Sequence, residues 1–231
     1  MIELINVSKS FCTNGYSIVA LDNISVKIED NDYVQVRGPN GSGKTTLLNV
    51  ISGAEIPDKG KVFFEGKEIT YLQEYRRNFI SRIFQDSRYA SCDHISILHT
   101  LCLAQFDQRP SFWRKAINDN RREMVFSVLK NACLNSLIDR INEPLENLSG
   151  GERQVINVLF LNLRRPMPRL ILADEPTNHL DPENANHVRN LLSNLSNYCS
   201  IILVSHEKEI APGVKKIITM EKGRFINDPS D

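Results

Sequence analysis

The stretch Gly38-Pro39-Asn40-Gly41-Ser42-Gly43-Lys44-Thr45 decides the fold of this chain. It matches GxxxxGK[ST] at every fixed position, and it has the context that this motif requires: an apolar strand pattern at Tyr33 to Val36 before it and a helix pattern from Lys44 to Gly53 after it. In such a loop successive backbone N–H groups converge on a phosphate. Lys44 neutralises the β- and γ-oxygens, and the Thr45 hydroxyl can ligate Mg²⁺. The motif predicts a site for a nucleoside triphosphate.

Strand and helix patterns alternate around this loop. The runs Leu170 to Asp174 and Ile201 to Ser205 are almost entirely apolar, as in a parallel sheet that is buried on both faces. We therefore predict one α/β domain: a P-loop NTPase core with a parallel sheet (1–90 and 148–231), an N-terminal antiparallel β subdomain, and an inserted helical lobe at about 91–147. The N-terminal strands are predicted at Ile2 to Val7, Ile18 to Leu21 and Ile24 to Ile28, and a further strand is predicted at Val62 to Phe64.

A second phosphate-binding element is predicted at Leu148-Ser149-Gly150-Gly151-Glu152. A Ser cap, two glycines and Glu-Arg-Gln open an apolar-periodic run, which indicates a helix N-terminus with exposed backbone donors. Such an end binds anions. Because the chain already has a better phosphate cradle at 38–45, the pair of elements suggests a composite site.

Polar side chains at strand ends supply the predicted chemistry. Asp174 is placed to hold the water shell of a metal ion, and Glu175 to take a proton from an attacking water. Gln85 and His206 also follow apolar runs, at the edge where open parallel sheets place ligands. A Gln can contact both Mg²⁺ and the attacking water, and His206 can hydrogen-bond the γ-phosphate.

Composition excludes several classes of protein. The 231 residues carry 28 Lys plus Arg and 28 Asp plus Glu, so the global charge gives no reason to expect nucleic acid as a partner. The sequence has no secretory leader pattern and no apolar run long enough to span a membrane, which predicts a soluble, cytosolic polypeptide. Its five cysteines are widely spaced without CxxC, which favours reduced thiols over disulfides or a zinc site.

These motifs together resemble those of the nucleotide-binding subunit of ATP-binding cassette (ABC) transporters, over nearly the whole chain. The resemblance implies ATP and Mg²⁺ as cofactors and hydrolysis to ADP and phosphate. Its motifs are Walker A at Gly38 to Thr45 with Thr46 after it, the Q-loop Gln85, the signature Leu148 to Glu152, Walker B at Leu170 to Asp174 with Glu175 after it, the D-loop Asn178 to Asp181, and the switch His206.

The resemblance also implies partners. Two such subunits, identical or paralogous, would dimerise head to tail, with each ATP between Lys44 of one and Ser149, Gly150, Gly151 and Glu152 of the other. A transmembrane permease subunit would couple this cycle to transport at the cytoplasmic face of the membrane. Adenine would stack on Phe11, with Tyr16 as the fallback.

Local strings narrow the resemblance in two directions. Tyr71 to Arg77 and Arg82 to Asp86 look most similar to amino-acid uptake ATPases of the tryptophan or tyrosine type. Leu172 to Thr177 is shared with lipoprotein-releasing and macrolide-export ATPases. The motor sequence itself does not specify the transported substrate or its direction.

Two other classes share part of this pattern. Glu175 to Asp181 is typical of ribosome-associated cassette ATPases, but those carry two cassettes and a basic helical linker, whereas this chain has one P-loop. Chromosome-maintenance ATPases split the cassette with a long coiled coil, and the stretch between Gln85 and Ser149 is too short for one.

Two basic features depart from the simple pattern. Arg37 precedes the P-loop, so its charge must find a partner or solvent near the root of the loop. The basic aromatic segment Arg109 to Arg122 fits a solvated lobe surface with Trp113 packed inward better than contact with lipid, a membrane partner or RNA.

Overall fold

The structure is a computed structural model that describes residues 1–13, 15–90, 92–106, 117–206 and 209–226. Ten strands and seven α-helices lie in these ranges, with short 3₁₀ turns at 87–90 and 145–147. The strands are β1 (Ile2–Thr13), β2 (Tyr16–Ile28), β3 (Tyr33–Arg37), β4 (Lys59–Phe64), β5 (Lys67–Glu68), β6 (Ile80–Ile83), β7 (Leu170–Asp174), β8 (Ser200–Ser205), β9 (Lys216–Glu221) and β10 (Arg224–Phe225). The helices are α1 (Lys44–Ser52), α2 (Gln73–Arg76), α3 (Ile97–Ala104), α4 (Asp119–Asn131), α5 (Asn135–Asp139), α6 (Gly150–Leu163) and α7 (Pro182–Leu195).

Contacts within the chain divide it into two units. The first comprises 1–82, 169–175 and 196–231, and the second comprises 83–168 and 176–195. The predicted helical lobe at 91–147 includes α3, α4 and α5, and its boundaries stay a prediction.

The first unit is built on two sheets. One is antiparallel with strand order β2-β1-β4-β5, and the other has the order β10-β9-β3-β8-β7-β6. In the second sheet β3 is paired in parallel with β8 and β9, and β8 with β7. Every residue of β7 and β8 is buried, which is why their sequences are almost continuously apolar. The predicted α/β fold is confirmed.

The N-terminal strands differ from their prediction in two respects. β1 continues to Thr13, beyond the predicted end at Val7. The runs Ile18 to Leu21 and Ile24 to Ile28 belong to one long strand, β2, which pairs with β1 along its length. Asn23 has a φ of 54°, and the register with β1 shifts between Leu4 and Ser10. Asn tolerates the left-handed conformation, so the strand continues through Asn23 and joins the two predicted runs.

Gly53 and Arg76 fix the C-terminal end of helix α1 in the first unit. Gly53 closes the helix with a φ of 82° and an N–H bond to the Val50 carbonyl, as its sequence position predicted. Arg76 is fully buried behind this end, and its guanidinium donates to the carbonyl oxygens of Val50, Ile51, Ile69 and Thr70. A buried arginine thus satisfies the last carbonyls of the helix that carries the P-loop lysine.

The second unit is helical. α6 contributes a buried apolar face with Val155, Ile156, Val158 and Leu159, and α7 contributes Val188, Leu191 and Leu192. α3, α4 and α5 bury the apolar residues Ile97, Leu101, Val125, Leu129 and Leu137. In the described parts of the chain, no helix is long and apolar enough to cross a membrane.

Candidate functional site

The phosphate-binding loop connects β3 to α1 in the first unit. Lys44 is buried, and its ammonium Nζ donates to the carbonyl oxygens of Gly38 at 2.8 Å and Pro39 at 3.0 Å. The Ser42 N–H donates to the Pro39 carbonyl at 3.2 Å. Two carbonyl oxygens of the loop therefore hold the Lys44 ammonium in place. A phosphate oxygen would be a stronger acceptor for the same ammonium.

Two glycines of this loop are required by the space around them. A Cβ at Gly43, whose φ is 101°, would lie 2.2 Å from the Ala20 carbonyl oxygen. A Cβ at Gly38 would lie 2.1 Å from the Met220 carbonyl oxygen. Both neighbours are main-chain atoms of strands, which cannot turn aside as a side chain can. Strands β2 and β9 thus confine the loop, and only glycine fits.

The carboxyl ends of three parallel strands form the edge next to this loop. β3 ends at Arg37, β7 at Asp174 and β8 at Ser205, and the register pairs Arg37 with Ser205 and Asp174 with Val204. Ligands of open α/β sheets bind at this edge. The predicted residues Asp174, Glu175 and His206 therefore lie together here, as their strand-end positions suggested.

Asp174 is the centre of a polar cluster. It is buried, and its Oδ1 accepts a hydrogen bond of 3.3 Å from the Thr45 hydroxyl. Its Oδ2 lies 3.1 Å from the Arg82 guanidinium, which also donates to Asn49 Oδ1 at 2.5 Å. Sequence reasoning placed Asp174 and Thr45 in this site but assigned no role to Arg82 or Asn49.

Glu175 and His206 form a second pair at the same edge. His206 Nδ1 lies 3.4 Å from Glu175 Oε1, and the Glu175 N–H donates to the Val204 carbonyl at 3.0 Å. Glu175 adopts a φ of 45°, a conformation that non-glycine residues seldom adopt and that is concentrated at functional sites.

The signature segment starts helix α6 in the second unit. The Ser149 hydroxyl accepts from the Glu152 N–H at 3.2 Å, and the Glu152 carboxylate accepts from the Ser149 N–H at 2.8 Å. This reciprocal capping box confirms the helix start predicted at Ser149. Ser149 and Gly150 are exposed, and a Cβ at Gly150 would meet nothing within 4 Å.

Arg140 braces this capping box. Its guanidinium donates to Glu152 Oε1 at 2.7 Å, to Glu143 Oε2 at 2.9 Å and to the Asn147 carbonyl at 3.0 Å. The arginine thus fixes the carboxylate that in turn orients Ser149. Arg140 was not predicted, because nothing local in the sequence marks an arginine as the partner of a glutamate twelve residues later.

The first turn of α7 packs against the signature segment within the second unit, and the D-loop residue Asp181 caps that turn. A Cβ at Gly151 would lie 2.9 Å from Asn184 Nδ2, and that amide donates to Asp181 Oδ2 at 2.7 Å. The Asn184 N–H also donates to Asp181 Oδ1 at 3.0 Å, and this backbone bond is the main cause that lowers the pKa of Asp181. His179 in the D-loop has a φ of 61°, so like Glu175 it adopts a left-handed conformation.

Gln85 lies two residues beyond the end of β6 and is exposed. Two buried side chains of α6 hold the segment around it: Gln154 donates to the Phe84 carbonyl at 2.9 Å, and Asn157 donates to the Ser87 carbonyl at 2.9 Å. The signature helix therefore fixes the backbone on both sides of Gln85.

The remaining predicted features lie in or near the antiparallel sheet and the lobe. Phe11 is half-buried in β1 with the Lys9 ammonium 5.4 Å from its ring centroid, whereas Tyr16 at the start of β2 is 77% exposed. Arg37 has Gln35 Oε1 at 3.5 Å as its neighbour. Residues 109–116 of the basic segment, which include Trp113, lie outside the described residues.

The fold and these side chains define a P-loop nucleoside triphosphatase of the cassette type. Residues 21–178 match the family described as ABC transporter. The chain belongs to this family, which confirms the resemblance found in its motifs.

Two relatives and one solved structure illustrate the match. The chain is 32% identical to the macrolide export ATP-binding/permease protein MacB of Chlorobaculum tepidum over 99% of its own length but only 34% of that relative. It is 30% identical to the tyrosine transport ATP-binding protein of Clostridioides difficile, over 100% of this chain and 92% of the relative. The dimeric post-hydrolysis structure of the ATP-binding cassette MJ0796 with ADP and Pi superposes with a TM-score of 0.81 and 27% identity, over 98% and 97% of the chains.

These comparisons establish the general activity. The chain binds and hydrolyses ATP as a motor of an ABC transporter. The local strings resembled ATPases of tyrosine transport and of macrolide export, and relatives of both kinds are found.

Proposed function

We propose that two copies of this chain bind two ATP molecules head to tail, each between the P-loop of one copy and the signature helix of the other. The observation that carries this proposal is the N-terminus of α6. The capping box there, held by Arg140, leaves Ser149 and Gly150 exposed. The Ser149 hydroxyl accepts from the Glu152 N–H, which leaves its proton for an outside acceptor. A helix N-terminus with such a donor suits a γ-phosphate.

In this proposal the two units supply different groups. The first supplies Phe11 for adenine, the loop 38–45 with Thr46 for the phosphates, and Glu175 and His206 for the reaction. The second supplies Ser149, Gly150, Gly151 and Glu152 to the partner's nucleotide. Tyr16, which is more exposed than Phe11, is the alternative stacking residue.

Thr45 and Asp174 suit Mg²⁺, because a hydroxyl and a carboxylate 3.3 Å apart are the hard oxygen donors that this ion prefers. Among the described residues, no three His, Cys, Asp or Glu side chains could hold a metal ion by themselves. Phosphate oxygens would complete the coordination. Bound there, the ion would neutralise the charge on the β- and γ-phosphates.

The protein groups supply proton transfer and orientation. Glu175 would accept the proton of the attacking water, and His206, 3.4 Å away, would hold the carboxylate and contact the γ-phosphate. A transmembrane permease at the cytoplasmic face of the membrane would couple the closing and opening of the dimer to transport. In a pull-down from native membranes, a multi-spanning protein is expected, and recovery of ribosomes instead would contradict this partner.

The test of the site is Glu175→Gln. The variant should bind ATP, fail to hydrolyse it and accumulate as a dimer in sedimentation velocity, because only proton abstraction is lost. Glu123→Gln, an exposed change on α4, is the matched control and should behave as the wild type. Unimpaired turnover in Glu175→Gln would remove Glu175 as the base.

A further inference from the structure

Arg82 occupies an unusual position for a basic residue. It lies on β6, the strand next to β7 in the sheet, and its side chain is only 15% exposed. The guanidinium reaches Asp174 Oδ2 at 3.1 Å and Asn49 Oδ1 at 2.5 Å. A largely buried arginine is therefore tied on one side to the Walker B carboxylate and on the other to the P-loop helix.

Both oxygens of Asp174 are engaged in this arrangement. Oδ1 accepts from the Thr45 hydroxyl at 3.3 Å, and Oδ2 faces Arg82. The carboxylate side chain is itself only 11% exposed, so the ion pair is poorly screened by solvent. The Arg82 guanidinium therefore compensates the charge of the Asp174 carboxylate.

We propose that Arg82 is a positioning residue that also limits divalent-cation binding at Asp174, so that the ion binds well only together with a nucleotide. The inference rests on the proposed Mg²⁺ site at Thr45 and Asp174. Arg82 keeps Oδ1 turned towards Thr45, and it occupies Oδ2 and neutralises the carboxylate. Without phosphate oxygens, a cation would face a carboxylate whose charge is already compensated.

Removal of the guanidinium changes two things in the same direction. It frees Asp174 Oδ2, and it removes a positive charge from the neighbourhood of the cation. A unit charge close to a divalent ion is worth on the order of 1 kcal/mol or more even at the dielectric constant of water, so the expected change in affinity is about tenfold.

The test measures Mn²⁺ binding by the loss of its free-ion electron paramagnetic resonance signal, with and without a non-hydrolysable ATP analogue. Arg82→Met should bind Mn²⁺ about tenfold more tightly than the wild type, most visibly without nucleotide. Arg82→Lys, which keeps the charge, should stay within about threefold of the wild type. An Mn²⁺ affinity of Arg82→Met within twofold of the wild type, or weaker, overturns the proposal, as does an equal gain in Arg82→Lys.

Two further variants make the outcome interpretable. Arg224→Met removes an exposed arginine on β10, the strand at the opposite edge of the sheet from β6. Arg224 pairs with Asp22, and its removal should leave Mn²⁺ affinity unchanged. Asp174→Asn should weaken Mn²⁺ binding in the presence of nucleotide. If it does not, the metal site of the proposed function is wrong, whereas a weakened Asp174→Asn with an unaltered Arg82→Met refutes only the role of Arg82. If Arg82→Met loses its native circular dichroism, Arg82→Gln is measured in its place.

Discussion

Gly150→Ala separates the stability of one copy from the assembly of two. A Cβ at Gly150 meets no atom within 4 Å, and the residue is the first of α6. Alanine is preferred to glycine in helices, by less at the first turn than in the interior, so the free energy of unfolding should rise by about 0.5 kcal/mol. The same methyl group would lie where we propose that the partner's γ-phosphate approaches the main chain, and ATP-driven dimerisation should weaken by at least about tenfold, or about 1.4 kcal/mol.

The assay combines urea unfolding with sedimentation velocity across an ATP titration in a Glu175→Gln background. Asn120→Ala, on the exposed side of α4, is the matched control for a helix-favouring change and should leave the dimer intact. Gly151→Ala provides the contrast, because its Cβ would lie 2.9 Å from Asn184 Nδ2. It should therefore lower the free energy of unfolding, whereas Gly150→Ala should raise it. Undiminished dimerisation of Gly150→Ala would refute the assignment of Gly150 to a composite site.

Three further predictions follow from single contacts. Arg76→Met should lower the free energy of unfolding by about 3 kcal/mol or more in urea, because it leaves buried carbonyls at the end of α1 without their donor; a loss below 1 kcal/mol would contradict this. Arg140→Met should leave stability within about 1 kcal/mol but weaken ATP-driven dimerisation by up to about tenfold, since Glu152 loses its brace; unchanged association would show that Arg140 does not act through Glu152. Burial raises the pKa of the Cys199 thiol to about 11 and also raises the pKa of the Cys102 thiol. At about pH 8 both thiols should therefore stay protonated and resist a thiol reagent in the folded protein, whereas Cys12, Cys92 and Cys133 should react. Equal labelling of all five cysteines would contradict the buried positions of Cys102 and Cys199.

The sequence predicted the elements whose signal is local. Leu170 to Asp174 was predicted to the residue, because a strand buried on both faces must be apolar throughout. Gly53 and Ser149 marked helix ends through chemistry that acts within a few residues. The prediction was wrong at Asn23, where two separate strands were expected and the structure has the single strand β2.

The contacts that depend on tertiary neighbours could not be predicted. Arg82 meets both Asp174 and Asn49 only because β6 lies beside β7 and α1 packs nearby, and no spacing in the sequence encodes that meeting. Arg76 is likewise a charged residue whose burial is explained only by carbonyl groups from two separate segments. Motif reasoning found the groups expected to touch the nucleotide, and the structure added the arginines that hold them.

Complementation between two inactive variants tests the composite site most directly. In a mixture of Lys44→Ala and Ser149→Glu chains, a mixed dimer would contain one site with both defects and one site with neither. We therefore expect each variant alone to lack ATP hydrolysis and the mixture to recover up to about a quarter of the wild-type rate, since about half of randomly paired dimers are mixed. A mixture as inactive as its two components, in protein that sedimentation shows to have formed mixed dimers, would contradict the composite site.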